Sequence, residues 1–177
     1  MKYFIYCRKS SEEEERQALS IESQLIELRE FAQKEALTVV REYTESKSAK
    51  TLGRPVFEEM IKAIENGEAD GIIAWAPDRI SRNSVDGGRI IYLVDQGIIK
   101  DLKFPTYIFD SSPHGKFNLS IAFGQAKLYT DAMRENIMRG IRQKIRKGEY
   151  PGMAPYGYFN HHRTRTIESD PETYLLI

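Results

Sequence analysis

Short apolar runs alternate along this chain with segments whose apolar residues recur every three or four positions. Tyr3-Phe4-Ile5-Tyr6-Cys7 is apolar on both faces, the pattern of a strand buried in a parallel sheet, and it stops abruptly at Arg8-Lys9-Ser10. Ser20 is placed as an N-cap with Glu22 in the first helical turn, and Ile21, Leu25, Leu28 and Ala32 form one apolar face beside Phe31. Leu37 to Tyr43 predicts a second strand. Pro55 suits the first turn of the next helix, whose buried face is Phe57, Met60, Ile61 and Ile64 and whose end is Gly67. Gly71 to Ala76 reads as a third buried strand, and Val85 to Gln96 as a helix weakened by Gly87 and Gly88 and stopped by Gly97. Leu102 to Phe109 contains Pro105 and fits an edge strand, with Ser111 to Gly115 as a turn.

From Phe117 to Lys147 there is no proline, and Phe123, Ala126, Met133, Ile137, Ile141 and Ile145 keep helical spacing. Such a helix spans about 45 Å, so part of it must project or pack on another subunit. Gly148 closes it, Pro151 to Asn160 reads as a Gly/Pro/Tyr linker, and Thr166 to Pro171 as the entry to another element. The pattern predicts an α/β fold with a mostly parallel central sheet flanked by helices, followed by a long oligomerisation helix. Its parts are 1–116, 117–148 and 149–177.

Charge changes this picture only through its distribution. Lys plus Arg equals Asp plus Glu, 26 each, yet acidic residues crowd Glu12 to Glu15 and basic ones crowd Arg134 to Lys147. The long helix therefore carries Arg134, Arg139, Arg142, Lys144, Arg146 and Lys147 opposite its apolar side. Cys7 is the only cysteine, which rules out an intrachain disulfide or a cysteine zinc site and fits a small buried hydrophobe. There is no uninterrupted apolar run of bilayer-spanning length and no signal-peptide pattern, so the default expectation is a cytoplasmic protein with no membrane partner.

Candidate chemistry gathers where strands end. Side chains alternate along a strand, so Arg8 and Ser10 leave the first one pointing the same way, beside a site where a hydroxyl could attack a phosphorus. Arg54 stands at a loop-to-helix junction, where an anion already meets backbone N–H groups. Asp78-Arg79-x-x-Arg82 follows the third strand, and a helical turn there would put both arginines on one face. Gln24 lies near the start of its helix, within turning distance of the Ser10 loop. Each also has a plain reading: a solvated loop start for Arg8 and Ser10, a surface glutamine for Gln24, a solvated helix start for the Asp78 segment. Ser11 to Gln17 fits a solvated loop, and His114 a surface residue.

Taken together, these residues resemble the serine recombinase family, in particular the large serine integrases and transposases. The match runs through Tyr6-x-Arg8-x-Ser10, Ser20-Ile21-Glu22-Ser23-Gln24, Ser48 with Arg54-Pro55, Asp78-Arg79-x-x-Arg82-Asn83, Lys144-x-x-x-Gly148 and Ala154-Pro155-Tyr156-Gly157-Tyr158. The resemblance implies a resolvase-like catalytic domain in which Ser10 is the nucleophile, with Arg8, Arg54, Arg79 and Arg82 around the scissile phosphate. Gln24, Ser48 and Asp78 would hydrogen-bond or orient the site, and Glu45 stands where many relatives carry aspartate. It also implies a covalent 5′-phosphoserine intermediate with double-stranded DNA, no metal, no ATP or other cofactor, and self-association into dimers and a synaptic tetramer. Residues 149–177 would be the truncated start of a DNA-binding region, poorly ordered after about Tyr150, which makes this chain a fragment of a longer protein. Two rivals share the same residues: a Ser/Arg phosphoesterase that releases product to water, and a non-catalytic DNA-binding protein.

Overall fold

The computed structural model describes residues 1–8, 21–47, 49, 52–161, 163–164 and 166–176. The Ser20 cap, the Glu12 to Glu15 run, Ser10 and Ser48 lie outside them. Two compact units divide the chain, Met1–Thr130 and Asp131–Ile177, and each is described by itself.

In the first unit, β1 (Lys2–Arg8), β2 (Thr38–Glu45), β3 (Gly71–Ala74) and β4 (Asp101–Lys103) form one sheet in the order β2-β1-β3-β4, parallel throughout. Central β1 is buried from Tyr3 to Arg8, which is why its sequence carries no polar alternation. Its odd positions Tyr3, Ile5 and Cys7 meet Leu28 and Ala32 of α1 (Ile21–Lys34) on one face. Its even positions Phe4 and Tyr6 face the larger cluster, built from α2 (Pro55–Glu65) and α4 (Ser84–Asp95). Between β3 and α4 lies a single helical turn, α3 (Pro77–Ile80).

The long helix is α5 (Pro113–Arg146), and it starts four residues before the sequence pattern predicts. The reason is a local cap: Ser112 Oγ accepts from the Gly115 amide at 3.1 Å and Pro113 takes the first helical position. Its first turns close the larger cluster with Leu119 and Phe123. Gly87 of α4 lies where an added Cβ would be 3.4 Å from Phe123, so a residue that weakens α4 as a helix permits its close packing. The edge strand is shorter than predicted. It ends at Lys103, because Phe104 bridges back to Tyr107 around Pro105 and takes the chain out of the sheet.

In the second unit the chain beyond Tyr150 is more regular than a linker. β5 (Tyr158–Asn160) and β6 (Ile167–Ser169) pair antiparallel, and the Tyr158 ring meets Tyr174 edge-on at 5.3 Å. A short 3-10 turn covers Tyr174–Leu176. Among the described residues no helix is long and apolar enough to cross a membrane.

Candidate active site

In a sheet ordered β2-β1-β3-β4, the chain leaves β1 toward one edge and β3 toward the other. The crevice at the carboxyl ends of β1 and β3 is thus the switch point where open α/β sheets bind ligands. The sequence puts Arg8 at the end of β1 and the Asp78-to-Arg82 segment just after β3, so both enter this crevice.

Arg8 is fully buried, an unusual place for a guanidinium. Its Nε donates to the Arg79 carbonyl at 3.1 Å and its Nη2 to the Asp78 carbonyl at 3.3 Å, closing the last turn of α3 from below. Burial, reinforced by the charges of Arg82 and Arg79, pushes the Arg8 guanidinium down to about 10. Arg82 and Arg79 are therefore near enough to oppose the Arg8 charge. From the opposite face of the sheet, buried Gln24 donates through Nε2 to the Arg8 carbonyl at 3.3 Å and steadies the end of β1.

Arg82 does not continue the helix that carries Arg79. Ile80 ends α3 and Ser81 is extended (φ −146°, ψ 143°), so the two arginines reach the same place from different backbone segments and not from one helical face. Arg82 Nη2 donates to Asp78 Oδ2 at 2.8 Å, a pair with side-chain exposures of 10% and 33% that leaves it open to solvent on one side. Among the described residues Arg8, Arg79 and Arg82 outnumber Asp78 and Glu45, which leaves the crevice net positive.

Arg54 stands one layer deeper, and Glu45 stands level with Arg8 on the neighbouring strand. Arg54 is fully enclosed: Nη1 donates to the Tyr6 hydroxyl at 2.9 Å, Nη2 to Asp86 Oδ2 at 2.8 Å, and its Cζ stacks 4.0 Å above the Phe57 ring. Tyr6 precedes Arg8 by two residues on the same face of β1, about 7 Å along the strand. The Tyr6 hydroxyl is pushed up strongly, chiefly by burial. Glu45, paired in register with Arg8, accepts from the Lys47 amide at 2.9 Å and the Val56 amide at 3.2 Å. It thereby ties the loop after β2 to the first turn of α2, where Arg54 at the N-cap offers no side-chain cap.

Sequence reasoning missed Asp86 and gave no role to Asn83, which it named only within the Asp78-to-Asn83 motif. Asn83 caps α4 through Oδ1, with the Val85 and Asp86 amides at 3.0 and 2.9 Å, while its Nδ2 donates to Asp86 Oδ2 at 2.7 Å and to the Ala49 carbonyl at 2.9 Å. The signal for Asp86 was present: it shares the buried face of α4 with Ile90, Leu93 and Val94, where an aspartate needs a charged partner. Arg134, Arg139, Arg142, Lys144, Arg146 and Lys147 are all exposed in the second unit.

Fold and crevice define an α/β protein with guanidinium groups gathered at its switch point. The chain belongs to the resolvase family: the family's "Resolvase, N terminal domain" matches residues 3–150, which makes it the catalytic domain of a serine site-specific recombinase acting on DNA. It is similar to the N-terminal catalytic domain of TP901-1 integrase, with 28% identity, a TM-score of 0.56, and coverage of 76% of this chain and 98% of that one. It shares its fold with a resolvase family site-specific recombinase from Streptococcus pneumoniae (24% identity, TM-score 0.51, covering 82% and 99%). The same holds for the C-terminal catalytic domain of ISC1926 TnpA, an IS607-like serine recombinase (17% identity, TM-score 0.50, covering 80% and 85%).

Proposed function

We propose that this chain is the catalytic domain of a large serine recombinase of the integrase or transposase type, and that it joins DNA to Ser10 through a 5′-phosphoserine. The 28% identity to the TP901-1 integrase catalytic domain supports the type. The arginine cluster at the ends of β1 and β3 carries the mechanism.

In that mechanism Ser10, two residues beyond Arg8, attacks the scissile phosphorus. The Oγ–P bond forms, the P–O3′ bond breaks, and the serine proton is lost as the 3′ oxygen gains one. The phosphate passes from one negative charge toward two as the fifth oxygen bonds. A net positive charge, preorganised and partly shielded from water, matches that change without reorganising during the reaction. Guanidinium forks suit phosphate oxygens and keep their charge at neutral pH. Asp78 orients Arg82, a role its 2.8 Å pairing favours over that of an acid for the 3′ oxygen. Gln24 holds the end of β1, Glu45 ties the end of β2 to the first turn of α2, and Ser48 is the further polar group that the resemblance adds to the site. The phosphoserine conserves the energy of the phosphodiester, so rejoining needs no ATP, and the positive charge a metal would bring comes from arginine.

Self-association through α5 accompanies this reading, with dimers pairing into a tetramer when two sites are cut on both strands. The exposed Ile137, Met138 and Ile145 suit a partner subunit. The basic residues from Arg134 to Lys147 suit DNA phosphates. The test is a pool of nicked duplexes with randomised centres, incubated with the protein and run on a denaturing gel. A protein–DNA adduct that disappears with Ser10→Ala is expected. Cleavage without an adduct would mean a phosphoesterase, and an adduct that survives Ser10→Ala would move the nucleophile elsewhere.

A further inference from the structure

Arg54 has the charge of a phosphate ligand but the surroundings of a structural group. Among the described residues its guanidinium bonds this chain's own Tyr6 and Asp86 and stacks on Phe57, so its charge is already paired with a carboxylate. Drawing it out toward a phosphate would leave the Asp86 carboxylate buried with, among the described residues, only the Asn83 side chain to hold it.

The network around it leads elsewhere. Asp86 Oδ2 is shared between Arg54 and Asn83, at 2.8 and 2.7 Å. Asn83 follows Arg82 directly, and both hold the Ala49 carbonyl, through Asn83 Nδ2 at 2.9 Å and the Arg82 amide at 3.3 Å. Through these bonds one carboxylate joins β1 (via Arg54 and Tyr6), the loop before α2, and the backbone that launches Arg82. Arg82 lies between two extended residues, Ser81 and Asn83, and belongs to no helix, so it has no ladder of its own to fix it.

We infer that Asp86 is a positioning residue for DNA cleavage: with Arg54 and Asn83 it sets Arg82 against Arg8 from beneath the site, and Arg54 does not touch the phosphate. This rests on the reading of Arg8, Arg79 and Arg82 as the phosphate cage. It predicts that loss of Asp86 lowers the rate of the chemical step and not the affinity for DNA, because the phosphate-contacting groups remain present but misplaced.

Two measurements on the whole chain test it. In arginine side-chain NMR, titration with the dinucleotide dTpdT should shift the Arg8, Arg79 and Arg82 Nε signals and leave Arg54 still. On the duplex selected by the adduct assay, Asp86→Asn should slow single-turnover adduct formation about 100-fold, the scale of a 1 Å misplacement, with the duplex dissociation constant unchanged. Should Asp86→Asn fail to fold, Tyr6→Phe removes only one acceptor from Arg54 and must show the same split between rate and affinity. An Arg54 signal that moves with dTpdT, or a folded Asp86 variant that cleaves at the wild-type rate, overturns the proposal. If dTpdT shifts none of the four arginines, the phosphate cage itself is wrong and this proposal falls with it.

Discussion

Replacing Asp86 by leucine would leave the Arg54 guanidinium charged in a site that admits no water. Both side chains are enclosed, with exposures of 0% and 6%, so removing either partner exposes the other to the full desolvation penalty of a buried ion. Asp86→Leu or Arg54→Met alone should therefore cost about 3–5 kcal/mol. At about 2–4 °C per kcal/mol for a domain of this size, that lowers Tm by about 6–20 °C. Changing both together removes both charges and leaves chiefly the buried Tyr6 hydroxyl without its donor, a residual of about 1–3 kcal/mol. Adding Tyr6→Phe should recover most of that remainder. Arg29→Met supplies the contrast, since its pair with Glu42 is 57% and 31% exposed and should contribute far less than the buried pair. Urea unfolding followed by fluorescence of Trp75, the only tryptophan, reads all five variants. The reasoning fails if Asp86→Leu costs no more than Arg29→Met, or if the double variant loses the sum of the two singles.

Arg82→Ala should slow single-turnover cleavage by about 10²–10⁵-fold and barely move the urea midpoint; near wild-type cleavage would remove Arg82 from the cage. Burial pushes the Cys7 thiol up to about 12, so a disulfide reagent at neutral pH should label it only after unfolding, and fast labelling of native protein would contradict its place in the sheet. Ile137→Asp puts a charge on an exposed apolar position of α5 and should shift sedimentation to a smaller species with the domain still folded; an unchanged oligomer would place the contact elsewhere.

The elements of the first unit were readable because their causes are local. Continuous burial of β1, the 3.6-residue period of α1 and α2, and Pro55 at a helix start are all written within a few residues. The order of the strand-end residues also resembled the serine recombinases, and the match over residues 3–150 agrees with that reading. Where sequence reading slipped, local chemistry was present but outweighed. Ser112 and Pro113 begin α5 where a turn was expected, and the Phe104–Tyr107 bridge ends β4 early.

What the chain could not announce by itself was how differently its arginines are held. Arg8, Arg54, Arg79 and Arg82 look alike as residues, and three of them sit beside turns. Their roles separate only when Arg8 meets carbonyls 70 and 71 positions away, and Arg54 meets Tyr6 and Asp86 across 48 and 32. Such pairings depend on strand order and on the register of β1 against its neighbours, and neither is encoded in any short window. Periodicity shows that a face is buried. Only the packed sheet decides which charge that face must neutralise, because burial cost depends on what surrounds a group in three dimensions.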